Sequence, residues 1–259
     1  MMDSLSVIKI GGNVVDSPEA LEAFLDDFVS LPKEKILVHG GGVMASQTLR
    51  RLGIEPKMMN GRRITDAETL KVAVSVYAGW LNKTIVAKLQ ARGCNAVGLS
   101  GADGGVIESA IRPKEPVDYG FVGDVRSVDV KFLEMLLDQG ITPVLCAVTH
   151  DRKGTLLNTN ADTIASSVAK AMAAVREVNL TFCFEKNGVL ADPEDEGSVI
   201  PQIDRAAFEE MKATGAISAG MIPKLENAFS AISAGVHKVI IKNSANLGKS
   251  IGTVIGGVI

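Results

Sequence analysis

The residues best placed for chemistry begin at Ile8-Lys9-Ile10-Gly11-Gly12, a short β-rich apolar run that carries one cation and ends in two glycines. A buried strand of this kind would deliver an ammonium to a loop of bare backbone amides. That is phosphate-binding chemistry: glycine puts no Cβ in the path of an oxyanion, and lysine adds a point charge beside the N–H groups. The same letters would also serve as a tight turn whose lysine reaches solvent. Lys35-Ile36-Leu37-Val38-His39 repeats the pattern and ends in Gly40-Gly41-Gly42. Asn60-Gly61-Arg62-Arg63-Ile64 is a polar turn with two cations, and Leu157-Asn158-Thr159-Asn160-Ala161-Asp162 leads into a helix. Asn and Asp are favoured helix caps; capping accounts for one of these polar residues and leaves the others for a different task.

Two familiar nucleotide signatures come close. Asn243-Ser244-Ala245-Asn246-Leu247-Gly248-Lys249-Ser250 ends like a P-loop, but it lacks the first glycine and stands too near the carboxyl end for the helix and sheet that should follow. Gly40-Gly41-Gly42-Val43-Met44-Ala45 satisfies the G-x-G-x-x-A dinucleotide fingerprint. That fingerprint calls for an acid on the next strand to hold the ribose, and Glu55 precedes Pro56 in no strand-like run.

Positioning these residues takes strands, loops and helices in alternation. Ser17-Pro18-Glu19 gives an N-cap, a first-turn proline and a first-turn acid to an amphipathic helix ending near Ser30. Two strand–glycine–helix junctions within the first fifty or so residues predict a parallel sheet with active-site loops at the carboxyl ends of its strands. Thr65 and Glu68 form a capping box for a long helix through Ala91 that stops at Gly93. The stretch from Gly101 to Arg126 reads as hairpin excursions, a lid or edge outside the core sheet. Asp129 to Gln139 is helical, Thr142 to Val148 a buried strand, and Thr163 to Ala174 a helix. Val178 to Phe184 is again a strand, and Asp204 caps a short helix to Ala213. Lys224 enters a helix running to Ala234, and His237 to Ile241 and Gly252 to Ile255 close the chain as strands.

A chain of 259 residues can bury a large core, with 46% hydrophobic and 22% charged residues and a net charge of −3. No basic surplus recruits nucleic acid or an anionic membrane, and 4% aromatics leave few stacking platforms for single strands. Cys94, Cys146 and Cys183 lie far apart in or near apolar runs and read as free thiols in a reducing cytoplasm. Neither a signal peptide nor a run of membrane-spanning length stands out. No linker rich in Pro, Ser or charge divides the sequence.

Taken together, the glycine loops, Lys9, Arg63, the Asn158/Asn160/Asp162 cluster and Lys224 resemble the amino acid kinase family. The resemblance runs over essentially the whole chain. It also takes in Val38-His39-Gly40-Gly41-Gly42, Asp118-Tyr119-Gly120-Phe121-Val122-Gly123 and Gly220-Met221-Ile222-Pro223-Lys224. It implies an α/β fold, a three-layer αβα sandwich around an open, mainly parallel sheet. The chain would form a single domain, with an amino-acid-binding lobe over about residues 1–175 and a nucleotide-binding lobe over about 176–259. The implied reaction moves a phosphoryl group from ATP to the side-chain carboxylate of an N-acyl-L-glutamate, in the second step of arginine biosynthesis. Mg²⁺ would travel on the nucleotide, with no protein metal site. Lys9 and Lys224 match the lysines that stabilise the transition state, and Asp162 the aspartate that holds both. Gly11 and Gly12 would offer amides to the phosphates, Gly41 and Gly42 would hold the acyl-amino acid, and Arg63 and Asn158 would bind its α-carboxylate. ATP contacts are expected at Glu185, Gly188, Leu190, Ala216 and Ser218. Arg62 reads as a surface charge, and His39, His150 and His237 as structural.

The chain departs from the family in two places. Phe184-Glu185-Lys186-Asn187-Gly188-Val189 stands where the family reads Thr/Ser-Asp-Val-x-Gly-Val after its strand. The first strand begins almost at Met1, which predicts a homodimer, paired through the long helix after Thr65 and insensitive to arginine. Acetyl is the acyl group expected by default. Succinyl is the alternative, with Arg112, Lys114 and Arg126 as candidate cations for its carboxylate; the same three residues also read as solvated hairpin charges. Other readings are a different carboxylate or carbamate kinase of this fold, an NAD-dependent dehydrogenase built on Gly40 to Ala45, and a non-catalytic amino-acid sensor.

Overall fold

A computed structural model describes residues 4–32, 34–59, 61–192, 194–217 and 221–256. Strand β1 (Leu5–Ile10) passes through the short helix α1 (Gly12–Asp16) into α2 (Pro18–Ser30). The Ser17 hydroxyl accepts from the amide of Ala20, as its place before Pro18 predicts. Next come β2 (Lys35–His39), α3 (Gly42–Arg51) and a hairpin of β3 (Met58–Met59) and β4 (Arg62–Arg63), its first strand exposed. A long helix follows as α4 (Ala67–Val74), a π-helical stretch over Ser75–Leu81, and α5 (Asn82–Ala91). Then come β5 (Ala96–Leu99), β6 (Ile107–Ile111), β7 (Gly123–Val128), α6 (Val130–Asp138), β8 (Thr142–Cys146), β9 (Val148–His150) and β10 (Leu156–Asn158). The chain continues through α7 (Ala161–Met172), β11 (Val178–Phe184), β12 (Gln202–Ile203), α8 (Arg205–Thr214), α9 (Ile222–Ser233), β13 (Lys238–Asn243) and β14 (Thr253–Ile255).

Eight strands make one sheet in the order β12-β14-β13-β11-β1-β2-β8-β5. Every neighbouring pair is parallel except β13 with β14. β2 and β8 are buried along their whole lengths, as strands covered on both faces must be, and this is why they read as unbroken apolar runs. Lys35 in β2 is 4% exposed and survives burial because its ammonium donates to the Val29 and Leu31 carbonyls, both at 3.0 Å, at the end of α2. α7 packs on β1, β2 and β11 and meets α9, which lies against β13; α5 lies against β5 and β8 and packs on α2.

The excursion stays out of the main sheet, as expected, and supplies β6 and most of β7 to a second sheet of four strands in the order β10-β9-β6-β7, completed by β9 and β10 from further along the chain. Two expectations need correcting. The Thr142 to Val148 run is not one strand: it leaves the main sheet after Cys146, and Val148 opens β9 in the second sheet. The long helix is capped by Asp66, whose carboxylate accepts from the Thr69 amide at 2.8 Å, not by Thr65. Thr65 is fully buried and its hydroxyl turns inward to the Arg63 carbonyl at 3.0 Å. As expected, the P-loop-like stretch is followed by strand β14 rather than a helix, and Glu55 lies outside any strand, in an exposed ion pair with Arg50 at 3.5 Å. Both nucleotide signatures therefore lack the elements that would make them work.

Candidate active site

Parallel pairing places Lys9 beside Val38 on one side and Phe182 on the other, so β1, β2 and β11 end at a common edge. The two glycine loops are neighbours there. A Cβ on Gly12 would stand 3.6 Å from the Val43 side chain at the start of α3. Gly11 corrects the sequence reading: its N–H donates to the Cys183 carbonyl at 3.2 Å and is spent on the sheet. Gly12, the first residue of α1, keeps the kind of amide that a helix start leaves without an internal partner.

Gly41 has a different constraint. Its φ is +154°, and a Cβ there would come within 2.3 Å of Leu81 Cδ1 and 2.9 Å of Tyr77 Cδ1. Both residues belong to the π-helical stretch, which presses the long helix against the loop. Gly42 opens α3, and its carbonyl accepts from Arg63 Nη2 at 2.8 Å. The same nitrogen donates to the Ser46 hydroxyl at 2.8 Å, while Arg63 Nη1 is buried with no partner among the described residues. A guanidinium with one edge fixed and the other unused is set to receive a planar oxyanion.

The asparagines and aspartate divide their tasks. Asn160 caps α7, its side-chain oxygen accepting from the Thr163 amide at 3.0 Å. Asn158 ends β10 and donates from its carboxamide to Thr65 Oγ1 at 3.0 Å, the contact that draws Thr65 away from capping. Asp162, in the first turn of α7, pairs with Lys9 at 2.7 Å across the sheet edge.

Lys9, Gly12, Gly41, Gly42, Arg63, Asn158 and Asp162 line one cleft of about 210 Å³. Lys9 and Asp162 also line a smaller adjoining cavity with Phe182, Phe184, Lys224 and Asn227. The ammonium of Lys224 lies over the Phe184 ring, 4.5 Å from its centroid. Burial lowers its pKa below the ordinary lysine value; Asp162 and Glu185 act the other way, and neighbouring Lys9 adds to the lowering. Asp162 was expected to hold both lysines. Among the described residues its ion pair is with Lys9 alone, and Lys224 is seated on an aromatic face.

The remaining expected nucleotide contacts are not gathered around these cavities. Glu185 is felt by Lys224 as a charge. Gly188 and Leu190 turn to the β12–β14 edge: a Cβ on Gly188 would stand 2.7 Å from Thr253 Oγ1, and Leu190 bridges to Val199. Ala216 is exposed just beyond α8, and Ser218 lies outside the described residues. Sequence reading also missed three groups. Asn227 follows Lys224 by one helical turn, a spacing that places both on one face. Tyr77 lines the larger cleft from the π-helical stretch. Arg62 is a correction: it is half-buried and lines the cleft beside Met58 and Val122, because the second sheet folds over the hairpin that carries it.

Glycine loops at strand ends, a lysine–aspartate pair between two cavities and a second lysine lining the smaller cavity with that pair define a phosphotransferase class, and the chain belongs to the amino acid kinase family. The family's sequence profile matches residues 4–243. Its relatives carry a narrower name. The acetylglutamate kinase of Cytophaga hutchinsonii is 56% identical over 247 residues, 95% of this chain and 94% of that protein. The acetylglutamate kinase of Phocaeicola vulgatus is 55% identical over 255 residues, 98% of this chain and 99% of that protein. Among solved structures, smu.665 from Streptococcus mutans UA159 superposes with a TM-score of 0.80 at 28% identity, covering 97% of this chain and 98% of that one.

Proposed function

We propose that the chain transfers the γ-phosphoryl group of ATP to the side-chain carboxylate of an N-acyl-L-glutamate, the second step of arginine biosynthesis, with N-acetyl-L-glutamate as the substrate its relatives' name gives. The observation that carries this reading is the Lys9–Asp162 pair standing between two cavities, one lined by Arg63 and Asn158 and the other by Lys224. A carboxylate oxygen attacks the γ-phosphorus, the bond from phosphorus to the β–γ bridging oxygen breaks, and ADP leaves with that electron pair. No base is required, because the attacking carboxylate is already ionised at neutral pH. The problem is charge: two polyanions meet, and the transferring group carries negative charge on its outer oxygens. Lys9 from one side and Lys224 from the other neutralise it, while Asp162 keeps Lys9 in place. Arg63 Nη1 and Asn158 hold the α-carboxylate, and the amide of Gly12 faces the phosphates.

Among the described residues no group of three or more His, Cys, Asp or Glu could cage a metal, and the acid nearest the lysines is engaged by Lys9. Mg²⁺ fits this site as a passenger on the nucleotide phosphates, where it neutralises charge and takes no ligand from the chain. The expected division into an acyl-amino acid lobe (about 1–175) and a nucleotide lobe (about 176–259) follows the split between Lys9 and Lys224 and belongs to the same proposal, as does a cytoplasmic setting. No helix among the described residues is long and apolar enough to cross a membrane.

The reaction is tested by incubating the chain with ATP and N-acetyl- or N-succinyl-L-glutamate in the presence of hydroxylamine. Hydroxamate that forms only when ATP and the acyl-amino acid are both present is the expected result. A folded chain that binds ATP and phosphorylates neither compound would move the activity to another carboxylate or carbamate acceptor.

A further inference from the structure

Resting on the acylglutamate reading above, we propose that Arg62 makes the acyl pocket selective for an acyl group that itself ends in a carboxylate, so that a dicarboxylic half-amide such as N-succinyl-L-glutamate is preferred to N-acetyl-L-glutamate. Charge along the cleft wall does not close. Arg62 is half-buried in the cleft wall, and among the described residues no hydrogen bond or ion pair holds its guanidinium. Its charged neighbours are Arg112 and Asp124. Asp124 is already taken: its Oδ1 accepts from Arg112 Nη2 at 2.5 Å and from Nε at 3.2 Å, and Arg112 also lies over the Tyr119 ring at 5.6 Å. Two guanidiniums therefore share one carboxylate, and Arg62 is the one left facing the cleft. Burial and the charge of Arg112 both depress its pKa, the signature of a cation held where water and counter-charge are short.

An acetyl group ends in a methyl and gives such a cation nothing. It would sit against an incompletely solvated charge, an arrangement that costs binding rather than adding to it. A carboxylate at the end of a longer acyl chain would supply the missing anion. The α-carboxylate does not compete for Arg62, because Arg63 offers its own unused Nη1 on the other side of the hairpin strand. Of the candidate cations in the excursion, Arg112 is committed to Asp124, Lys114 pairs with Asp118 at 3.6 Å, and Arg126 is exposed; none of the three lines the cleft.

The test compares kcat/KM for N-acetyl-, N-butyryl- and N-succinyl-L-glutamate. Butyryl matches the length of succinyl and lacks its charge. The inference expects succinyl to exceed both neutral compounds at least tenfold, and Arg62→Leu to lower the succinyl-to-butyryl ratio at least tenfold. Equal or better use of acetyl or butyryl by the unaltered chain overturns the inference and leaves the kinase reading standing. So does an Arg62→Leu ratio within threefold of the unaltered one. Silence with all three compounds from a folded chain overturns the kinase reading and this inference with it. The ratio in the unaltered chain decides the matter even if Arg62→Leu fails to fold.

Discussion

Lys224 is a cation seated on a ring instead of beside an anion, and that choice has a cost in stability. Its pKa in the folded chain is lowered, chiefly by burial. Between that lowered value and the unfolded one, the unfolded chain binds the proton more readily, so stability rises with pH through that window. On the acid side of that window both states are protonated and the full penalty of burying the charge is present. Lys224→Met should therefore raise the melting temperature of the nucleotide-free protein at pH 7 while lowering kcat by about 10²–10³. Calorimetry and the hydroxamate assay together check it. A simultaneous loss of both would make Lys224 a packing residue, and retained activity would remove it from the chemistry. Lys9 differs, because its pairing with Asp162 at 2.7 Å ties it to α7 before any substrate arrives.

Elements are joined to one another through His39. It ends β2 fully buried, with Nδ1 2.8 Å from the Gly40 carbonyl and Nε2 3.1 Å from the Asn82 amide nitrogen. Lys83 donates to Asn82 Oδ1 at 3.1 Å, which fixes the amide so that its NH₂ faces His39 and the Val144 carbonyl. Nε2 is thus an acceptor and Nδ1 carries the proton, a neutral ring that ties β2, β8 and α5 together. Burial pushes its pKa from 6.5 down to about 4. In that window the unfolded chain takes up a proton that the folded chain refuses, so stability falls as pH drops from 6.5 to 4, by up to about 3 kcal/mol. Urea midpoints at pH 7 and pH 4.5 should show the fall, and His39→Asn should lessen it; an equal fall in the variant would place the acid sensitivity elsewhere.

The elements also show what a sequence can and cannot disclose. β1 and β2 were legible because each is a largely apolar run closed by glycine, β11 because it is a largely apolar run of strand length, and α2 because Ser17-Pro18-Glu19 marks a helix start. The π-helical stretch leaves no mark in the periodicity, and the apolar run through Val148 hides a change of sheet. Arg62 looked solvated because what buries it is the excursion some fifty residues further on. At the site, the charged residues were legible from their resemblance to a family. The spent amide of Gly11 and the aromatic seat of Lys224 were not, since each depends on a strand from the far end of the chain.

For the molecule as a whole, the expectation of a homodimer through the long helix becomes sharper. Trp80, the sole tryptophan, projects from the π-helical stretch with 65% of its surface in water. Buried aromatic anchors of this size commonly dominate interfaces. Light scattering should give twice 27.2 kDa, and Trp80→Glu should give the single-chain mass; a wild-type monomer at micromolar concentration would overturn the expectation.

The central strand of the sheet also sets a schedule for synthesis. β1 leaves the ribosome first and finds β2 within a few dozen residues, but its other edge pairs with β11, Leu5 lying opposite Val178. At about 5–20 residues per second that edge waits roughly 10–35 s for its partner. Throughout this interval the nascent chain carries an apolar strand with a row of unpaired amides and carbonyls. The strand that bears Lys9 is thus the one a chaperone would have most reason to shield, and the active site can close only after most of the polypeptide has been made.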